Sequence, residues 1–118
     1  MFPIEKCEKI QLPQGAIYLG PSTKNKSVGY LELNPHTSLT LHNRPAVEKL
    51  TQVKNKCAMV IFEKKSNEIV ILQKGGQLII EPPNTWHIHA NYFGELSLTY
   101  WDFEGDIRSI IQNIREQK

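Results

Sequence analysis

The sequence predicts an all-β domain that folds as a sandwich or a closed barrel. Short apolar segments alternate with turn signals at intervals of roughly eight to twelve residues along most of the chain. At 118 residues, with 40% hydrophobic and 22% charged residues, the chain suits one globular core. Because no internal repeat, low-complexity segment or linker divides it, we expect a single domain.

The first 27 residues are expected to form an N-terminal arm and edge strands. Residues 1–15 carry a scatter of apolar side chains and two prolines, which favours a short strand or an arm laid over the domain. A strand over 16–19 ends at Gly20-Pro21, and a polar loop follows.

Residues 28–103 are expected to form the body of the barrel. The 57–62 and 68–72 segments are interpreted as a hairpin around a polar turn at 64–67. In segment 38–42, alternation places Leu39 and Leu41 on one face and His42 on the other. The predicted strands are 28–33, 38–42, 47–53, 57–62, 68–72, 77–81, 86–91 and 96–103.

The C-terminal segment, 104–118, has a different period. Asp106 is a plausible N-cap, and isoleucines recur after it at helical spacing. They are Ile107, Ile110, Ile111 and Ile114. We therefore expect an amphipathic α-helix packed on the outside of the barrel, with a dimer contact as the alternative.

Charge and composition exclude several classes of partner. The net charge is only +2 and the lysines are scattered, so there is no footprint for nucleic acid or an anionic membrane. No apolar run is long enough to cross a bilayer, and the N-terminus MFPIEKCEKI has charges where a signal peptide has its apolar core. The predicted location is cytoplasmic. Cys7 and Cys57 lack metal-motif spacing and are interpreted as free thiols, with a disulfide as the alternative.

The stretch GGQLIIEPPNTWHIHAN, residues 75–91, carries the strongest functional signal. It is interpreted as a strand, a Pro-Pro-Asn turn and a second strand. With a period of two, His87, His89 and Asn91 share one face of the second strand.

A second group of polar residues precedes this stretch. His42, Arg44 and Glu48 have the same parity on segments that read as strands or strand edges. A closed barrel points alternate residues into its lumen, where unpaired polar groups are costly to bury. A metal ion, an anionic ligand or a pocket open to water would account for them.

The spacing in the 76–91 region resembles the second motif of the cupin superfamily. That motif is G, five residues, P-x-G, two residues, H, three residues and N. Gly76, Pro82, His87 and Asn91 occupy those places, and Asn84 replaces the second glycine. Asparagine tolerates positive φ, so this replacement is physically mild.

The first cupin motif is present in a degraded form. That motif is G, five residues, H-x-H, three or four residues, E, six residues and G. His42 and Glu48 fit it, whereas Arg44 stands at the second histidine. His36 and Asn55 stand at the opening and closing glycines. The resemblance covers roughly residues 28–103 and implies a single-domain cupin, a jelly-roll barrel also called a double-stranded β-helix.

By position, the resemblance implies that His42, Glu48 and His87 bind one divalent metal ion. Two neutral imidazoles and one carboxylate suit Fe, Mn, Ni, Zn or Cu and leave positions open for water or substrate. Arg44 cannot ligate a cation, but it can hold an anionic substrate beside the metal. His89 is a candidate replacement ligand; the alternative is that it only donates a hydrogen bond inside the barrel.

Three functions are compatible with these residues. The first is a metal-binding cupin that acts on a small polar or anionic molecule, as a dioxygenase or isomerase, with Arg44 orienting the substrate. The second is a metal-free sugar epimerase or isomerase, with His42 or His87 as general base and Arg44 as anion anchor. The third is a small-molecule binding protein without chemistry. The resemblance also implies a homodimer, since barrels of this kind often pair through outer strands.

Overall fold

The computed structural model describes residues 1–62, 66–81 and 83–108, and these residues form ten β-strands and one short 3-10 helix, Ile4–Lys6. The strands are β1 (Glu8–Leu12), β2 (Gly15–Ser22), β3 (Ser27–Leu33), β4 (Thr37–Ser38), β5 (Glu48–Lys54), β6 (Cys57–Phe62), β7 (Asn67–Leu72), β8 (Gln77–Ile80), β9 (His87–Asn91) and β10 (Ser97–Phe103). The fold is therefore all-β, as the sequence predicts.

The strands form two antiparallel sheets. The larger sheet has the order β1-β2-β3-β10-β5-β8, and the smaller has the order β4-β9-β6-β7. From β3 to β10 the chain repeatedly passes between the two sheets, which is the jelly-roll arrangement. A functional group on the inner face of either sheet therefore points toward the space between them.

The core lies between the two sheets. Leu33 and Phe103 from the larger sheet pack in one cluster with Met59 and Leu72 from the smaller sheet. Burial of each large apolar side chain contributes about 1.5–3 kcal/mol, so this cluster is a main source of cohesion between the sheets.

From residue 28 onward, the predicted strands are confirmed within one residue at each end, with one exception. The exception is segment 38–42, where β4 ends at Ser38 and the chain rejoins the sheet only at an isolated bridge between His42 and His87. The expected shared face of Leu39 and Leu41 is wrong, since Leu39 packs against the core while Leu41 is 49% exposed.

A local side-chain bond explains this interruption. The Nδ1 of His42 lies 2.7 Å from the carbonyl oxygen of Thr40. A bond from a side chain to the backbone two residues earlier competes with the regular ladder between strands. The chain at 40–41 therefore departs from the sheet, although its alternating sequence predicts a continuous strand.

Both ends of the described chain lie on the larger sheet. The predicted N-terminal strand is β1, which pairs with β2 at the edge of this sheet. At the other end, the backbone N–H of Arg108 donates to Asp106 Oδ1 over 3.1 Å, and Ile107 is buried in the core. The predicted helix beyond residue 108 lies outside the described residues.

Left-handed backbone occurs at the places where the cupin motifs have glycine. Among the residues that the structure describes, the non-glycine residues with positive φ are His36 (57°), Asn55 (56°) and Asn84 (68°). These are the three positions that the sequence aligns with motif glycines. The backbone thus keeps the turns of both motifs, and asparagine or histidine adopts the conformation that glycine adopts more readily.

Several other sequence predictions can be compared with the structure. Both cysteines are free thiols, as predicted, and burial raises the pKa of Cys57 to about 11. Two of the four residues in the predicted turn over 64–67, residues 64 and 65, lie outside the described residues. Pro82 of the second motif also lies outside them. No helix within the described part of the chain has the length and apolarity needed to span a bilayer.

Candidate functional site

A backbone bridge joins the two motif segments. The N–H of His42 donates to the carbonyl oxygen of His87 over 3.0 Å, and the N–H of His87 donates back to His42 over 2.8 Å. This pairing places the two imidazole rings 4.3 Å apart between centroids, at 70° to each other. Residues 45 positions apart in the sequence therefore become direct neighbours.

The loops beside this bridge are also joined. The N–H of Asn84 donates to the carbonyl oxygen of Arg44 over 2.7 Å, and the Asn43 side chain donates to the Asn84 carbonyl over 3.4 Å. The turn of the second motif thereby fixes the backbone of Arg44, which stands where the first motif has its second histidine.

Glu48 enters the site from the larger sheet. It is the first residue of β5, where Glu48, Leu50 and Gln52 alternate toward the inside of the barrel. Its Oε2 lies 3.4 Å from the Nε2 of His87, and its side chain is only 13% exposed. The predicted convergence of His42, Glu48 and His87 is therefore present in the fold.

Hydrogen bonds to the backbone fix the tautomers of both histidines. The Nδ1 of His42 faces the carbonyl oxygen of Thr40, and the Nδ1 of His87 faces that of Thr85 at 2.9 Å. A carbonyl oxygen only accepts, so each Nδ1 carries a hydrogen. In the neutral ring, each Nε2 then carries a lone pair, which is the form that binds a metal or accepts a proton.

The environment keeps His42 neutral. Burial, the charge of Arg44 and the neighbouring His87 lower the pKa of His42 to about 3, against smaller opposing effects of Thr40 and Glu48. Burial also lowers the pKa of Arg44, and the Glu48 carboxylate opposes this shift. Arg44 nevertheless keeps its charge, because the guanidinium starts from a very high pKa.

His89 belongs to a buried polar network. The Gln52 Nε2 donates to Lys54 O at 2.8 Å and to Ser97 Oγ at 3.0 Å, which turns its Oε1 toward Thr99. The Thr99 hydroxyl donates to this oxygen over 2.7 Å and lies 3.3 Å from the Nε2 of His89. With the hydroxyl hydrogen so used, His89 Nε2–H donates to Thr99.

This network bears on the predicted role of His89 as a ligand. Burial, and secondarily His87, lower the pKa of His89 to about 3, so the ring is neutral. Because its Nε2 is engaged by Thr99, only its Nδ1 offers a lone pair. Its role as a metal ligand stays a prediction, and the alternative of an internal hydrogen bond is present in the structure.

One cavity unites the predicted site residues. It has a volume of about 70 Å³, and His42, Arg44, Glu48, His87 and His89 all line it. The remaining wall is apolar and includes Ile17, Leu31, Leu39, Met59, Trp101 and Ile107. The cavity thus combines a charged and imidazole-bearing side with a hydrophobic side.

The donor set fits a metal ion in its chemistry and in one distance. Two atoms that each lie about 2.1 Å from a tetrahedral ion are roughly 3.4 Å apart, which is the separation of His87 Nε2 and Glu48 Oε2. However, no group of three or more His, Cys, Asp or Glu side chains within residues 1–62, 66–81 and 83–108 has the arrangement of a formed metal centre. Side-chain rotation is required to complete three-ligand binding.

Sequence reasoning missed the residues that support or enclose this site. Gln52 and Thr99 are paired across β5 and β10, and their register is set by the fold. Ile107 was placed on the apolar face of a helix, and it lines the cavity. The alternation of Glu48, Leu50 and Gln52 was the one signal that could have identified Gln52 as an inward-facing residue.

The fold resembles solved structures of larger proteins. A variant of oxalate decarboxylase from Bacillus subtilis has a TM-score of 0.78 and 14% sequence identity, over 89% of this chain and 29% of its own. The same enzyme at pH 4.6 has a TM-score of 0.76 and 19% identity, over 87% of this chain and 28% of its own. An oxalate oxidase in complex with the substrate analogue glycolate has a TM-score of 0.64 and 16% identity, over 69% of this chain and 42% of its own.

These comparisons define the fold. The chain has the cupin fold, as the motif spacing predicts. It spans less than a third of the length of the oxalate decarboxylase chain. No protein-family model and no curated protein sequence matches it.

Proposed function

We propose that this chain is a small cupin that binds one divalent metal ion in its barrel and acts on a small anionic molecule. The observation that carries the proposal is the distance of 3.4 Å between His87 Nε2 and Glu48 Oε2. In the neutral tautomer fixed by Thr85, both atoms present lone pairs, and a cation between them would relieve their repulsion. A charge-assisted hydrogen bond would be shorter, at about 2.8 Å.

His42, Glu48 and His87 would hold the ion, with His89 Nδ1 as a further donor. Such an ion supplies Lewis acidity and lowers the pKa of a bound water. The protein's own contribution is distinct: Arg44 binds and orients the anion, and the apolar wall limits the access of water. The Thr40 and Thr85 carbonyls hold the two Nε2 lone pairs in place.

The fold comparison supports this choice. The oxalate decarboxylase of Bacillus subtilis has Mn(II) centres, and the oxalate oxidase was captured with glycolate. Both names concern small carboxylates, which match the charge of Arg44. The reaction class for this chain, dioxygenase or isomerase, follows from neither name.

A metal-free epimerase or isomerase is the second candidate, and one observation favours it. Burial is the largest cause of the lowered pKa of His42, and the charge of Arg44 is the second, so Arg44 lowers the affinity of this ring for a proton. The same charge opposes the binding of any other cation at this ring. In this case His42 or His87 would act as a general base and Arg44 would anchor the substrate.

Metal titration decides between the two candidates. Chelator-treated protein is titrated with Mn(II), Zn(II) and Co(II), and metal content is measured after dialysis. We expect about one equivalent of metal in the wild type and at least a tenfold loss of affinity in His87→Ala and Glu48→Gln. His36→Asn removes an exposed imidazole at a left-handed position and serves as the control.

Two results would contradict the metal proposal. One is the absence of metal uptake by the wild type, and the other is equal uptake by His87→Ala. The metal-free candidate instead predicts that solvent exchange of a substrate α-proton persists in chelator and is abolished in His42→Ala and His87→Ala.

A further inference from the structure

We infer that the cavity selects a short aliphatic monocarboxylate over a dicarboxylate of the same length, because its described lining holds one guanidinium and no other permanent cation. The inference rests on the proposed function, since it names the ligand class of the same site. It concerns the charge and volume of the cavity, and these are properties of the chain without any bound ion.

The charges of the cavity favour one carboxylate. Among the described residues that line it, Arg44 is the only permanent cation and Glu48 is the only carboxylate. The imidazole N–H groups of the three histidines in the lining are directed at the oxygens of Thr40, Thr85 and Thr99, so none of them is left to pair with an anion. One carboxylate group can pair with the guanidinium in the bidentate geometry that arginine favours.

A second carboxylate on the ligand would lack a partner. Opposite the polar side, the wall is formed by residues such as Ile17, Leu31, Met59 and Trp101, which offer no cation. On the polar side, Glu48 would repel it. A buried charge without a partner pays its full desolvation cost, so the dicarboxylate should bind roughly 100-fold more weakly.

The volume of the cavity sets the size of the part of a ligand that it can take up. At about 70 Å³, it is half the size of an engineered 150 Å³ apolar cavity that accepts benzene. It therefore encloses about three or four non-hydrogen atoms. Acetate, with four non-hydrogen atoms, has this size; propionate has one more, its methyl end, which would contact the apolar wall.

Propionate and malonate differ in one group, a methyl or a carboxylate, and the Leu39→Lys variant separates the effect of its charge from that of its size. Each is titrated into ¹⁵N-labelled, chelator-treated protein, so that chelation of a metal by malonate does not contribute. The Trp101 indole signal reports on the cavity wall, and that of Trp86, which is 50% exposed and does not line the cavity, is the internal reference. We expect propionate to shift Trp101 but not Trp86, and malonate to bind roughly 100-fold more weakly.

Two variants and one control, Lys49→Gln, test the origin of this preference. Arg44→Gln should weaken propionate binding at least about tenfold. Lys49→Gln removes the same charge from an exposed position of β5 and should leave binding unchanged. Leu39→Lys adds a cation to the wall and should increase the affinity for malonate, since lysine can extend its charge toward an anion.

Three outcomes would overturn the inference: malonate binding as tightly as propionate, no response of Trp101 to propionate at tens of millimolar, or equal propionate affinity in Arg44→Gln. Failure of the proposed function is seen separately, as the absence of metal uptake by wild-type protein. A protein that takes up no metal but prefers propionate would retain the ligand class and lose the metal.

Discussion

His42 and His87 are oriented by the same local bond. In each case Nδ1 donates to the carbonyl oxygen two residues earlier, in the segments Thr40-Leu41-His42 and Thr85-Trp86-His87. The intervening Leu41 and Trp86 are turned outward, and both are about half exposed. The two Nε2 lone pairs therefore take their direction from the backbone, and the chain does not need a ligand to set it.

Removal of the Thr99 hydroxyl tests the hydrogen-bond network around His89. Thr99→Val keeps the shape of the side chain but leaves Gln52 Oε1 and His89 Nε2 without their shared partner. Buried groups left unpaired cost about 1–3 kcal/mol each, so we expect the free energy of unfolding to fall by at least ~1 kcal/mol in urea denaturation. Thr51→Val, at a partly buried position that alternates with the inward-facing residues of β5, is the control and should change stability by less than ~0.5 kcal/mol. Equal effects of the two substitutions would contradict the network.

The histidines also predict a pH dependence of stability. The folded-state pKa of His89 is lowered from 6.5 to about 3, so between these values the unfolded chain binds a proton that the folded chain does not. Stability is therefore fully present above pH 6.5 and falls as the pH decreases toward 3, by about 1.4 kcal/mol per pH unit for one such group. The lowered pKa of His42 contributes a pH dependence in the same direction, with stability falling as the pH decreases.

This dependence is measured by urea unfolding of chelator-treated protein from pH 7.5 to pH 4.5. His89→Gln should flatten the slope, whereas His36→Asn should leave it unchanged because His36 is exposed. A slope that is the same in wild type and His89→Gln would show that His89 does not remain neutral in the folded state.

The alternation of residues along the strands predicts which polar side chains face inward, but it does not predict the residues with which they form hydrogen bonds. The sequence places His42, Arg44, Glu48, His87 and His89 together, and all five line one cavity. The Gln52–Thr99 pair depends on the register between β5 and β10, which contains an irregularity near Leu98 and Thr99. Such a register is set by packing of the whole barrel, so no local pattern predicts it.

At the scale of elements, alternation predicts the strands that form a continuous ladder with a neighbour. Strands β6 and β7 pair as the predicted hairpin, and the left-handed residue Asn55 lies in the turn between β5 and β6. The prediction failed at 38–42, because the side chain of His42 takes the carbonyl that a ladder would use. The alternation of apolar and polar residues carries no information on whether a side chain competes with the ladder for a backbone carbonyl.

A substitution at Gly29 tests how closely β3 packs against β2 and Trp101. A Cβ at Gly29 of β3 would lie 2.1 Å from Tyr18 O and 2.4 Å from Trp101 Cζ2, so both β2 and the cavity wall would have to move. We expect Gly29→Ala to lower the free energy of unfolding by about 1–3 kcal/mol, measured by urea denaturation. It should also shift the Trp101 indole signal.

Gly94→Ala is the matched control for this substitution. Apart from its two chain neighbours, no described residue has an atom within 4 Å of the Cβ position at Gly94, so the change should remain within about 0.5 kcal/mol of wild type. If Gly29→Ala were as well tolerated as Gly94→Ala, the close approach of β2, β3 and Trp101 would be wrong.

At the scale of the whole molecule, the smaller sheet has an apolar outer face. Across its strands, Val60 pairs with Ile88 on one side and with Ile69 on the other. Ile69 and Ile71 are 64% and 53% exposed on β7, which is the edge of this sheet. The sequence of β7, NEIVIL, contains no proline or lysine to protect that edge from pairing.

We expect β7 to pair with β7 of a second copy about a two-fold axis. This pairing would be the interface of the homodimer that the sequence predicts. An antiparallel pairing centred on Val70 would place Ile69 opposite the partner's Ile71 and would keep the two Glu68 side chains apart. Light scattering coupled to gel filtration should therefore give a dimer for the wild type and a monomer for Ile71→Lys. Ile79→Lys, at a 52% exposed position on the edge of the other sheet, should remain dimeric. A monomeric wild type, or dissociation by Ile79→Lys alone, would exclude this interface, because among the strands that the structure describes β7 is the edge with two exposed isoleucines.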